Sequence, residues 1–281
     1  MSAARGAAWG LVVLSVGVAD RITSARPAGL RMLVLIGALF FAMKVLVSVE
    51  AAARDGTRLP PLRWAAFATL WPGMRPALVA RLQPGRSGAA SLLRTGLAYV
   101  ALGSTLFLVA LLAWRWTGST VLSTVLLLPA LSLLLHFGAF GILAGLWRGA
   151  GADVGPLFRA PWRSASLGEF WSRRWNLAFS EMTSLAVYRP LALRLGRRAA
   201  LVAAFLFSGL LHEVAISLPV RAGYGRPMLY FAIHGVLTQV ERERGPFGRA
   251  ATLLAVVLPL PLLFHPPFLQ GVIWPLLGPS R

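Results

Sequence analysis

The sequence predicts an all-α, polytopic integral membrane protein, and three observations carry that prediction. Hydrophobic residues make up 57% of the chain and charged residues only 13%, and the mean hydropathy is +0.69, outside the range of soluble globular domains. Several apolar runs approach the roughly 20 residues that a helix needs to cross a hydrocarbon core of about 30 Å. The arginines sit singly or in pairs at the ends of those runs, which is the pattern of loops retained on the cytoplasmic side.

Taken in order, apolar runs near 6–19, 30–50, 96–114, 119–147, 199–219, 227–240 and 250–274 give seven crossings. The first also has the length of a signal-peptide core, but it lacks a clean cleavage pattern and is read as a first helix. The stretch from Trp64 to Trp71 is too short to cross. Thr117 to Trp147 is uncharged for 31 residues, longer than the membrane is thick at about 1.5 Å per residue. It is expected to tilt, kink or break, with Pro129 and the glycines Gly138, Gly141 and Gly145 as the places. The last run, interrupted by Pro259, Pro261, Pro266, Pro267 and Pro275, is expected to be broken, with His265 in a loop or at a membrane end. The chain reads as a single membrane domain, 1–281, without repeats.

Charge is strongly asymmetric. The net charge is +19, from 28 basic residues, of which Lys44 is the only lysine, against nine acidic ones. The alternation of crossings puts Arg5 and the stretches 54–95, 148–198 and 241–249 on one face, with 20 of the 28 basic residues. That face is expected to be cytoplasmic and the C-terminus outside. No solvated basic tract is present, so nucleic acid is not expected as a partner. The absence of cysteine excludes disulfides, thiolate metal sites and a cysteine nucleophile. The four histidines, His136, His212, His234 and His265, follow no metal-binding spacing, so no metal is expected.

Two islands interrupt the apolar sea. The first lies within 149–198, a cytoplasmic or interfacial segment that mixes Trp162, Phe170, Trp171 and Trp175 with eight arginines. Tryptophan at headgroup level beside snorkelling arginine marks an interfacial helix. Ser166 with Glu169 three residues later fits a capping box. The helix is therefore expected to begin near Leu167 and to carry Trp171, Trp175 and Asn176 along the membrane surface, with Trp171 and Trp175 on one face. The second island, Phe207-Ser-Gly-Leu-Leu-His-Glu213, puts His212 about 14 residues past Arg198, about 20 Å along a straight helix. An ionisable group at that depth is costly and is a functional hypothesis by default. A neutral imidazole suits a general base. Ser208, one turn earlier, is an orienting candidate. Glu213 points about 100° away and suits a counter-ion or structural role. His136 and His234 fit structural roles better than a cavity lining.

In this order, Phe170-Trp171-Ser-Arg173-Arg174-Trp175-Asn176 followed by Ser208-Gly-Leu-Leu-His212-Glu resembles the wax synthase branch of the membrane-bound O-acyltransferases, over roughly Pro156 to Glu213. The resemblance implies seven to nine transmembrane helices plus an interfacial helix, enclosing a substrate tunnel. It implies that His212 is the essential intramembrane histidine and Asn176 the asparagine that ends the aromatic motif. The implied reaction moves a fatty acyl group from acyl-CoA, a co-substrate rather than a bound cofactor, to a lipid hydroxyl, a long-chain alcohol first of all. Phe170, Trp171, Arg173, Arg174, Trp175 and Ser208 are then the substrate-binding candidates, with Arg173 and Arg174 facing the CoA phosphates. Membrane lipids are the surroundings, and the bacterial inner membrane is the expected location. Alternatives are a sugar or other polar hydroxyl as acceptor, a small proton-coupled transporter using His212 and Glu213, and a lipid-binding relative without catalysis.

Overall fold

The computed structural model describes residues 3–85 and 87–278, and these are helical without a strand. The principal helices are α1 (Ala3–Ile22), α2 (Ala28–Asp55), α3 (Pro61–Leu70), α4 (Ala89–Thr117), α5 (Thr120–Gly149), α6 (Leu177–Val220), α7 (Arg226–Arg244), α8 (Arg249–Leu263) and α9 (Pro266–Leu277). By length and composition, α1, α2, α4, α5 and α6 can each cross a membrane, and α8 with α9, bent by 69° where they meet, makes a sixth span if the pair is one. The proline-rich last run is thus broken, as its sequence requires. Helix α7 forms where a crossing was expected, but its uncharged part, 227–240, reaches only about 21 Å at 1.5 Å per residue, against a core of about 30 Å.

The chain divides into two compact units: Met1–Thr57 with Arg159–Val272, and Arg58–Phe158 with Ile273–Arg281. In the first unit α1 and α2 form an antiparallel pair pinned at both ends. Arg5 Nε lies 2.8 Å from Glu50, and Arg31 Nη2 lies 2.5 Å from Asp20. Arg31 is buried. Its guanidinium also donates to the carbonyls of Leu218 (3.1 Å) and Pro219 (2.8 Å) at the end of α6. A helix's last carbonyls lack internal partners, so this cation satisfies them and complements the helix dipole.

Helix α6 contains a break at Gly196, whose φ of 79° and ψ of 164° are not helical. Two arms result, 177–195 and 197–220, and the second matches the crossing expected at 199–219. It packs closely on α7: a Cβ on Gly209 would stand 2.9 Å from Met228 Cα, and one on Gly235 would stand 3.2 Å from Phe205 Cβ.

In the second unit α4 and α5 run antiparallel through the left-handed Gly118 and the N-cap Ser119. Glycine lets the two backbones touch. A Cβ on Gly96, Gly103, Gly138 or Gly145 would stand 2.7 to 2.9 Å from Ile142, Leu134, Val100 or Leu93 respectively. Pro129 lies inside α5, and a π-helical stretch follows at Leu133–Ala139. The run is therefore one continuous helix that widens to a π stretch after Pro129, rather than a broken one.

Candidate active site

The aromatic motif starts at a short helical turn, Leu167–Glu169, that continues as a π turn over Phe170–Arg174. Ser166 is its N-cap, its Oγ accepting the Glu169 N–H at 2.9 Å. The reciprocal half of the expected capping box is displaced by one residue: Glu169 Oε2 accepts from Ala165 N–H (2.9 Å) rather than from Ser166. Glu169 also lies 2.6 Å from Arg174. The Ala165 amide and then the Arg174 guanidinium hold its carboxyl below the usual range for glutamate.

The helix ends before the last two motif residues, which corrects the expectation that it carries them along one face. Trp175 is extended (φ −105°, ψ 124°), and Asn176 is left-handed (φ 44°, ψ 63°). Asparagine is one of the few residues that enters this region readily. Both tryptophans meet Phe170, Trp171 edge to face at 4.9 Å, and otherwise they diverge. Trp175 stacks on the buried Phe170 (5.7 Å between centroids, 13° between planes), whereas Trp171 meets Phe205, Phe231 and His234 at 6.2, 5.7 and 5.1 Å. Asn176 starts α6 as its N-cap, Oδ1 accepting from Phe179 N–H at 3.2 Å. The Ser180 hydroxyl donates to the Trp171 carbonyl, tying the motif to the first turn of α6.

His212 stands in the second arm of α6, half-buried, its ring 4.3 Å from that of Phe231 and 5.5 Å from that of Phe179. Phe179 therefore links the two islands, since its N–H bonds Asn176 and its ring meets His212. The His212 Nδ1 lies 2.7 Å from the Ser208 carbonyl. A carbonyl only accepts, so the proton is on Nδ1 and the Nε2 lone pair is free of it. The Ser208 hydroxyl donates to the Ala204 carbonyl (2.8 Å), so Ser208 orients the imidazole through its backbone rather than through the hydroxyl that sequence suggested. A π turn, Glu213–Ser217, follows directly; such turns recur at functional sites.

The remaining predicted residues separate. Arg174 is committed locally, to Glu169 and to the Arg159 carbonyl (3.1 Å), whereas Arg173 is exposed. Glu213 Oε1 accepts from Gly225 N–H (2.9 Å) and Met228 N–H (3.1 Å), so it caps α7. His265 lies in the short loop between α8 and α9, as expected, and is wholly buried there. It receives Phe268 N–H at Nδ1 and lies 3.3 Å from the Ser217 hydroxyl, starting α9. His136, in the second unit, stacks on Phe158 at 4.6 Å.

Two residues escaped sequence reasoning. Phe231 touches both His212 and Trp171, and Glu241 accepts from Leu167 N–H and Gly168 N–H, both at 3.0 Å. The only available signal for Glu241 was an acidic residue near the end of a mostly apolar run, with its partners more than 70 residues away.

Residues 154–233 match the membrane bound O-acyl transferase family. The chain is 39% identical over 103 residues to a long-chain-alcohol O-fatty-acyltransferase of Simmondsia chinensis, covering 32% of this chain and 28% of that protein. It is 28% identical over 186 residues to acyl-CoA–sterol O-acyltransferase 1 of Arabidopsis thaliana, covering 57% of this chain and 53% of that protein. The chain thus spans between about a quarter and about half the length of these relatives. Both are plant proteins, and they give the expected bacterial inner membrane no support. Residues 154–233, which hold both islands, are thus similar to the membrane bound O-acyl transferase family, and the expected likeness to its wax synthase-like branch is borne out.

Proposed function

We propose that this chain transfers a fatty acyl group from acyl-CoA to the hydroxyl of a lipid acceptor, a long-chain alcohol first of all, with His212 as general base. The observation that carries the proposal is the hydrogen bond from His212 Nδ1 to the Ser208 carbonyl, which leaves Nε2 as a proton acceptor between two aromatic rings. Nε2 takes the proton of the alcohol as its oxygen attacks the thioester carbonyl carbon. Collapse of the tetrahedral intermediate breaks the C–S bond, and the imidazolium returns the proton to the departing CoA sulfur. Asn176 keeps its Oδ1 on the Phe179 amide, so its NH2 group is available to donate to the developing oxyanion or to hold the thioester. Arg173, the exposed arginine of the motif, suits the CoA phosphates better than Arg174, which is engaged by Glu169. Phe170, Trp171, Trp175 and Ser208 shape the site in this reading, and the acyl chain occupies a tunnel among the apolar helices.

The names of the two relatives support the donor and the acceptor class, one specifying a long-chain alcohol and the other acyl-CoA and a sterol. The test is ester formation by purified protein given labelled palmitoyl-CoA with hexadecanol, a diacylglycerol, a sterol or a sugar. Label in the hexadecanol ester, lost in His212→Ala, is the expected result. Label in another ester moves the acceptor. Identical behaviour of wild type and His212→Ala across the panel overturns the proposal.

A further inference from the structure

Helix α7 presents one face to both islands. Phe231, His234, Thr238 and Glu241 recur at intervals of three, four and three residues, within about 80° of arc on a helix, and all four are buried. Phe231 meets the rings of His212 (4.3 Å) and Trp171 (5.7 Å). His234 meets Trp171 edge to face at 5.1 Å. Glu241, about 15 Å further along the axis from Phe231, reaches the beginning of the motif. Its Oε1 accepts from Leu167 N–H and its Oε2 from Gly168 N–H, each at 3.0 Å.

The first amides of a helical turn have no internal acceptors. Here Ser166 serves the amide of Glu169, and a carboxylate from a distant helix serves the two before it. A buried carboxylate is costly unless its oxygens receive donors. The pairing is therefore mutual: the turn needs these acceptors and the carboxylate needs these donors. Two bonds from one planar group to consecutive amides also fix orientation, which a single bond does not. A second tie lies nearby, from Gly248 N–H at the start of α8 to the Ala165 carbonyl at 3.1 Å.

We infer that Glu241 is a positioning residue: its two-oxygen clamp on Leu167 and Gly168 sets the register of the segment Phe170 to Asn176 along α7, and with it the place of Trp171 and Asn176 relative to His212. The inference rests on the acyl-transfer reading of this site. Register matters because a shift on the order of 1 Å at a reacting centre costs about a hundredfold in rate.

Two measurements test it on the full-length protein in detergent. In steady-state assays with palmitoyl-CoA and the acceptor that wild type uses, Glu241→Ala is expected to lower kcat by about tenfold or more while KM for either substrate changes less than about threefold. Glu241→Gln, which keeps the side-chain shape and one acceptor oxygen but turns an NH2 toward the other amide, is expected to recover only part of the loss. Wild-type kcat in Glu241→Ala, or a loss that merely tracks the folded fraction by size-exclusion chromatography, overturns the inference. The second measurement needs no activity: amide hydrogen exchange across residues 165–176 is expected to quicken about tenfold or more in Glu241→Ala, with exchange in α1 and α2 unchanged. Unchanged exchange in 165–176 overturns the clamp. A wild type that esterifies nothing in the panel refutes the proposed function instead, and the exchange result still decides whether Glu241 holds the motif.

Discussion

The α4–α5 pair and the α6–α7 pair are both antiparallel helix contacts rich in glycine, yet they are held together differently. Between α4 and α5 the contact is made by Gly96, Gly103, Gly138 and Gly145 letting side chains and backbone approach. Between α6 and α7 glycine again allows close approach, at Gly209 and Gly235, but carboxylates are added: Glu213 caps α7 from α6, and Glu241 on α7 caps the motif turn. In an apolar medium, small-residue packing is a sufficient way to join helices, and polar groups carry a desolvation cost. Polar anchors are therefore informative where they occur. Here they fix the position of α7 against α6, which carries the second island, and of the first island against α7.

The largest expected effect separates chemistry from anchoring. His212→Ala is expected to cost about 10²–10⁴-fold in ester formation, the range for loss of a general base, while the protein elutes as wild type in size-exclusion chromatography. A residual rate close to wild type would assign the proton transfer elsewhere. Next comes Asn176, which is at once a cap and a candidate donor. Asn176→Ala is expected to lose about 10²–10³-fold in kcat and also stability, about 1 kcal/mol for the cap. Asn176→Gly enters the left-handed region freely and restores part of the stability, yet should regain none of the rate. Recovery of both would make Asn176 a purely conformational residue.

On the other side of the comparison, Gly103→Val forces a Cβ to within 2.9 Å of Leu134. It is expected to destabilise the second unit by about 1–3 kcal/mol, read as a lower thermal midpoint in detergent. The smallest effect concerns Glu169. Its carboxyl titrates below the usual glutamate range because the Ala165 amide and Arg174 favour the charged form. The stability it contributes is therefore present above the unfolded-state pKa and is lost as pH falls through the depressed folded value. Wild type and Glu169→Gln should differ in thermal midpoint near neutrality and converge in acid; a constant difference across that range would remove the ion pair from the account.

What could be read from sequence followed the range of the interactions involved. Hydropathy located α1, α2, α4, α5 and the second arm of α6, because burial in lipid is decided residue by residue. The motif helix was extended too far because spacing alone put Trp171 and Trp175 on one helical face, whereas the backbone leaves the helix at the extended Trp175 and the two rings share only Phe170. The prolines around His265 placed it correctly in a loop, but its burial by tertiary packing carried no local signal. Glu241 was illegible since its partners are backbone amides more than 70 residues away, and an amide carries no side-chain signature. The identities of the two islands were legible, and their mutual arrangement through Phe231 and Phe179 was not.

The π turn at Glu213–Ser217 has a consequence for comparing sequences of this kind. A π turn holds one more residue than an α turn, so it acts as a phase shift of about 100° in the helical wheel. Faces assigned before His212 do not continue after it. The carbonyls of Leu218 and Pro219 that Arg31 meets lie beyond this turn. An alignment that places its gap elsewhere in this helix would keep the motif residues matched and still misassign every partner downstream. The single inserted residue, rather than the number of identities, is then the feature that decides whether two such helices are wired alike.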